Sequence, residues 1–139
     1  LGLAALLYDS MLENEDLANI QSLEDPQLKM FKESEQENYR VHPTKAAEIA
    51  QYFSGYPEAD FVIAQHHERP KGDGFPNKLG TNKLTAHSCA FILANNYILR
   101  LTTSVGGKKN LLNIFREIKE TYNQGNFKDP LNALQRTII

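Results

Sequence analysis

The run His66-His67-Glu68-Arg69-Pro70-Lys71-Gly72-Asp73-Gly74-Phe75-Pro76 limits what this chain can fold into more than any other stretch. It follows the apolar segment 61–64, so it reads as a helix that stops where the histidines begin. Val62 and His66 lie four apart, as do Ile63 and His67, so each imidazole continues an apolar column. Because the helix stops there, both rings can face one polar cavity. The glycines allow positive φ and close backbone approach to a ligand, while Pro70 and Pro76 stiffen the loop. Imidazole nitrogens for a metal, with loop amides and cations for an anion, are the parts of a metal-and-phosphate site. The plain alternative, a polar helix end capped by neutral imidazoles, leaves the loop that follows unexplained.

Composition narrows the class. A chain of 139 residues makes one domain with one core. Hydrophobic content of 41% and charged content of 23% are those of an ordinary globular protein. A net charge of -2 supports neither nucleic-acid steering nor an anionic-membrane patch, so no DNA partner is expected. The single cysteine, Cys89, excludes an internal disulfide and suits a reducing, cytoplasmic setting. With no adjacent cation it reads as a small core residue. No apolar run approaches the roughly 20 residues that span a bilayer. Leu1 lies inside a helix-like segment with no initiator Met and no signal peptide. The sequence is therefore read as a piece of something longer, lacking its first helices or preceded by another domain.

The periodicity along the chain is helical throughout. Residues 1–12 are apolar on all sides up to Tyr8 and Asp9, the pattern of a buried helix. Asp9 is costly to bury unpaired, so on its own it reads as a helix end emerging into solvent. Asp25-Pro26 is an N-cap and first-turn pair opening a short surface helix, and the acidic residues of 13–40 read as a solvated face. His42-Pro43 predicts a fresh helix with a buried stripe of Ala46, Ala47, Ile49, Ala50 and Phe53, stopped by Gly55. A further helix covers 57–68. A longer one covers 83–103, with Ala86, Ala90, Leu93 and Tyr97 near one face, and Gly106-Gly107 ends it. Leu111, Ile114, Phe115, Ile118 and Tyr122 mark an amphipathic helix, and Asp129-Pro130 opens a last one carrying Leu131, Leu134 and Ile138. There is no internal repeat, no low-complexity linker and no convincing strand.

The run at 66–76 resembles the signature of the HD-GYP family, HHExxDGxGYP, with Lys71 in place of its Asp and Phe75 in place of its Tyr. Other stretches resemble the family in the same order. Leu3 to Asp9 matches its His-Asp helix, keeping Asp9 while Tyr8 replaces the histidine and Leu12 the lysine. His42-Pro43 matches its HP dipeptide. The segment 88–100 matches its ARIxAVADxYDAL element, with Cys89 at the arginine and Asn95 at the metal-binding aspartate. The tail resembles its closing GxFDPxVVxAL element, so the likeness runs from Leu3 to about Leu134.

The resemblance implies an all-α helical bundle of the HD superfamily, with about six to seven helices. It implies a centre of one or two iron or manganese ions, held by Asp9, His42, His66, His67 and Asn95. Arg69, Lys71, Gly74 and Phe75 would face substrate. In the family a metal-held hydroxide attacks phosphorus in cyclic di-GMP. Tyr8 and Asn95 together remove one imidazole, one negative charge and one bridging carboxylate, which favours a single-metal site. Leu12, Cys89 and Phe75 remove two cations and a hydroxyl from the substrate side. The resemblance thus implies a divergent domain of bacterial cyclic di-GMP signalling, with phosphodiesterase activity weakened or lost. Its partners would be cyclic di-GMP or a related nucleotide and a signalling protein. An active phosphodiesterase with unconventional ligands and a non-catalytic helical interaction domain stand as the alternatives.

Overall fold

The computed structural model describes residues 1–103 and 111–138. Among the described residues six α-helices carry the fold: α1 (Gly2–Leu7), α2 (Glu33–Ala50), α3 (Ala59–Gln65), α4 (Ala86–Thr102), α5 (Leu111–Tyr122) and α6 (Lys128–Ile138). Short 3-10 turns at Glu15–Asn19, Pro26–Met30, Thr81–Lys83 and Gly125–Phe127 connect them. Among the described residues the only β pairing is an isolated bridge between Lys71 and Gly80. The expected all-α bundle is what the chain forms. The expected Gly106-Gly107 stop lies outside the described residues.

Helix α2 differs from its expected form. It begins not at Pro43 but ten residues earlier, where the Glu35 carboxylate accepts the Lys32 backbone N–H at 2.9 Å. Pro43 therefore lies inside the helix, and His42 lies on its buried face with Tyr39, Ala46 and Ala50. Proline removes one helical hydrogen bond, the one its N–H would give to the carbonyl four residues back. Here that carbonyl, on Tyr39, accepts a hydrogen bond from His42 Nδ1 at 2.6 Å instead. The helix continues because a side chain has replaced the missing donor.

Ala46, Ala47 and Ala50 are buried as expected, and their small side chains let α3 pack closely along α2. Ile49 and Phe53 are exposed, contrary to the stripe read from the sequence. The helix ends at Ala50, before Gly55, so these two residues sit on its outer side and beyond it. Helix α1 is also less buried than its composition suggests. Only Ala4 is fully enclosed, against α2 and α3, while Leu6 is 75% exposed. Asp25 accepts the Gln27 N–H at 2.9 Å as the expected N-cap, but what it opens is a 3-10 turn.

Three apolar clusters follow. The largest unites α4, α5, the turn Gly125–Phe127 and α6 through Cys89, Ile92, Tyr97, Ile114, Ile118, Phe127 and Leu131. A second joins α1, α2 and α3, with Phe91 of α4 closing it. The third lies under the long α1–α2 connection, where Leu17, Ile20 and Leu28 surround Tyr39 and Phe75. Cys89 is fully buried in the first, as its sequence context suggested, and burial pushes its thiol up to about 12.

Candidate metal centre

Asp9, His42, His66 and His67 converge where α1, α2 and α3 meet. One ligating atom from each lies within 4.8 Å of the others. Their separation in sequence is closed by specific contacts. Asp9 follows the end of α1, and Asn38 of α2 fixes the chain just beyond it. The Asn38 amide donates to the Met11 carbonyl at 2.9 Å, and its oxygen accepts the Glu13 N–H at 3.0 Å. His66 and His67 follow Gln65, the last residue of α3, so the helix ends in time to leave both rings on one side.

The inner triangle is tight. His42 Nε2 and His66 Nε2 are 3.2 Å apart, and Asp9 Oδ1 is 3.3 Å from the first and 3.5 Å from the second. A first-row metal about 2.0–2.2 Å from three donors, at tetrahedral or octahedral angles, sets them roughly 3.0–3.5 Å apart. The spacing fits such an ion.

The tautomers point the same way. His42 Nδ1 contacts the Tyr39 carbonyl and His66 Nδ1 the Ile63 carbonyl, both at 2.6 Å. A carbonyl only accepts, so each Nδ1 carries the hydrogen and each Nε2 is the ring atom turned to the centre. Two ring nitrogens and a carboxylate oxygen facing one point require a cation or a proton between them. Burial pushes the Asp9 carboxyl up, but the hydrogen bonds and charges of His42 and His66 outweigh it, so it stays below the usual carboxylate range.

His67 occupies a different role from its neighbour. Its ring stacks on Phe75 at 4.5 Å and 15° and meets Tyr39 edge-on at 5.3 Å. Burial, then the charges of His66 and His42, hold its pKa well below the ordinary value. It is thus a neutral donor beside the triangle.

The loop after the histidines is held by Glu68, a residue to which the sequence reading gave no role. Its buried carboxylate accepts the Asn77 N–H at 2.7 Å and the Leu79 N–H at 2.8 Å. Burial pushes this carboxyl up, and the same backbone donors partly oppose that. A methyl at Gly74 would lie 2.4 Å from the His67 carbonyl and 2.5 Å from Glu68 Cα, so only glycine fits where the loop returns. Gly72 has φ of +74°, the conformation that favours glycine. The motif's glycines serve loop closure, which brings Phe75 under His67.

The remaining expected site residues divide by location. Arg69 pairs with Asp73 at 3.5 Å and lines two cavities. One, of about 490 Å³, also holds His66, His67, Asn95 and Arg100 in its wall. The other, of about 350 Å³, is lined by His67, Gly74 and Phe75 among others. Lys71 borders neither; it faces a separate open cavity with Arg116 and Lys119. Phe75 is 4% exposed, chiefly a packing partner of His67 and Tyr39. Leu12 packs beside the cluster around Tyr39.

Tyr8 lies against the triangle without the character of a ligand. Its ring packs edge-on against His66 at 5.2 Å and Phe91 at 5.3 Å. Burial, and then the Asp9 charge and hydrogen bond, push its phenol up, away from the phenolate that would bind a metal.

Comparison with known protein families, curated proteins and solved structures returned no match. The site therefore stands on its geometry. What that geometry defines is a helical protein with a partly buried Asp-His cluster able to hold a metal ion. Among the described residues no helix is long and apolar enough to cross a membrane.

Proposed function

We propose that this chain is a divergent domain of the HD-GYP type, holding one divalent iron or manganese ion and serving cyclic di-GMP signalling with phosphodiesterase activity weakened or lost. The observation that carries the metal reading is the triangle of Asp9 Oδ1, His42 Nε2 and His66 Nε2, whose edges of 3.2 to 3.5 Å suit one first-row ion. Two imidazoles and a carboxylate on one face leave coordination positions open, which suits a centre that binds ligands. The nucleotide and the signalling role rest on the sequence resemblance.

A divalent ion held by Asp9, His42 and His66 would lower the pKa of bound water and neutralise charge on phosphate oxygens. The chain's own residues prepare for that. Asp9 stays ionised beside the two imidazoles. Arg69, in the wall shared with His66 and His67, supports a phosphate there. Asn95, in the same wall, offers an amide oxygen without charge. A neutral Tyr8 and an uncharged Asn95 leave a second ion poorly provided with anionic donors, which is why activity is assigned as weak or lost.

The test is metal content together with turnover. One equivalent per chain without hydrolysis of cyclic di-GMP supports the proposal. Two equivalents with turnover establish the active-enzyme alternative, which the 490 Å³ cavity beside His66 and His67 favours. His66→Ala is expected to abolish metal binding, and unchanged stoichiometry would remove the metal reading. Tyr8→His combined with Asn95→Asp is expected to raise metal occupancy; no gain would mean that the rest of the cavity has also diverged.

A further inference from the structure

His42 and His66 make the same unusual contact by different means. In each, Nδ1 donates at 2.6 Å to the carbonyl three residues back, and Nε2 is thereby turned to the centre. For His66 the helix has ended: Gln65 is its last residue and His66 its C-cap, so the Ile63 carbonyl lies among those a helix end leaves without an i+4 donor. His42 has no such end nearby, because α2 runs on to Ala50. In an uninterrupted helix the Tyr39 carbonyl would be taken by the N–H of residue 43. Residue 43 is proline, which has none, and a proline ring within a helix crowds the carbonyl four residues back.

We propose that Pro43 is a positioning residue for the metal centre. By leaving the Tyr39 carbonyl without its helical donor, it hands that carbonyl to His42 Nδ1, fixing the tautomer and the aim of Nε2. The inference rests on the metal reading above but concerns a residue outside the cluster. Pro43 is fully buried at the helix interface and touches no solvent from which a ligand arrives. Its effect on the centre runs through the backbone. Fixing the second nitrogen of a metal-ligating histidine in this way matters for binding, since loss of such a partner costs about 10–100-fold in affinity.

The experiment uses Pro43→Ala and Pro43→Val, the second keeping most of the buried volume. Both restore an N–H at position 43 and remove a helix-breaking residue, so a purely structural account predicts an equal or firmer helix with no change at the metal. The positioning account predicts manganese(II) affinity about 10–100-fold weaker in both variants, at undiminished helicity. It also predicts that His42 Nδ1, which carries its hydrogen on the Tyr39 carbonyl in the chelator-treated wild type, loses it in part in the variants, a tautomer change read by long-range ¹H–¹⁵N correlation. Affinity within twofold of wild type, whatever the tautomer, would overturn the proposal. So would loss of helicity in both variants, which would assign Pro43 to the fold. If the wild-type chain binds no metal at all, the metal reading falls separately, and an unchanged tautomer in the variants would then sink the proline's role as well.

Discussion

The two halves of the bundle are built on opposite principles. Helices α4, α5 and α6 enclose aliphatic and aromatic side chains, with Phe127, Ile114 and Ile118 fully buried. Helices α1, α2 and α3 meet around a carboxylate and imidazoles, and most of the buried polar side chains, Asn38, His42, Gln65, His66 and Glu68, lie before α4. An apolar core is stabilised by area removed from water and needs no specific polar partner. A buried polar cluster is tolerated only where each group finds a partner. Among the described residues no buried side-chain nitrogen or oxygen lacks one. The C-terminal half is held by apolar packing, and the N-terminal half by partnered polar groups gathered around Asp9, His42 and His66.

Substitutions should separate the two. The largest effect on stability is expected from Phe127→Ala, which empties a fully buried ring site in the apolar half. Denaturant unfolding should show a loss of about 3–5 kcal/mol, with metal stoichiometry unchanged in the folded protein. Loss of metal along with stability would show that the halves are not separable. Next comes Glu68→Gln, which keeps the shape but turns one acceptor into a donor facing a backbone N–H. A cost of about 1–3 kcal/mol is expected, and because the loop carries Phe75 beneath His67, weaker metal binding should accompany it.

Tyr39→Phe leaves the packing around His42 and His67 in place but removes the hydroxyl that donates to the Ile20 carbonyl at 2.7 Å. About 1 kcal/mol should be lost, and a change in metal affinity greater than in Glu68→Gln would contradict this ordering. An effect absent at neutral pH and confined to alkaline pH concerns Cys89. Folded, its thiol is pushed up to about 12 from an ordinary 9.0, so the native chain holds a proton that the unfolded chain releases first. Its contribution to stability is complete below pH 9 and is lost as pH rises from there towards 12. Thiol-reactive reagents at pH 8 should label Cys89 only after unfolding; prompt labelling of native protein would place it outside the core.

What the sequence disclosed follows the same division. The C-terminal helices were legible because apolar residues at helical spacing, such as Ile114, Phe115, Ile118 and Tyr122, describe a face packed on a core. In the N-terminal half the sequence signalled donor types, His66 and His67 above all, but not the elements that hold them. His42-Pro43 looked like a helix start because proline lacks an N–H, and the compensating imidazole bond to Tyr39 leaves no trace in the local pattern. Asp9 looked like a solvent-exposed helix end because its partners lie 33 and 57 residues away in sequence. Asn38 carried no signal of its clamp on Met11 and Glu13. Glu68 stood in the motif, yet its role appeared only with the returning loop whose N–H groups it accepts. Lys71 shows the limit of reading a motif as a site: five residues from His66, it faces another cavity.

The measurement that tests the central claim most directly is metal content per chain, by elemental analysis of protein purified without chelators or a metal-affinity step. It would be run on the wild type and His66→Ala side by side. The account predicts one equivalent of iron or manganese in the wild type and none in the variant. A folded wild-type chain that takes up no divalent metal, even when supplied with manganese or iron, would contradict it.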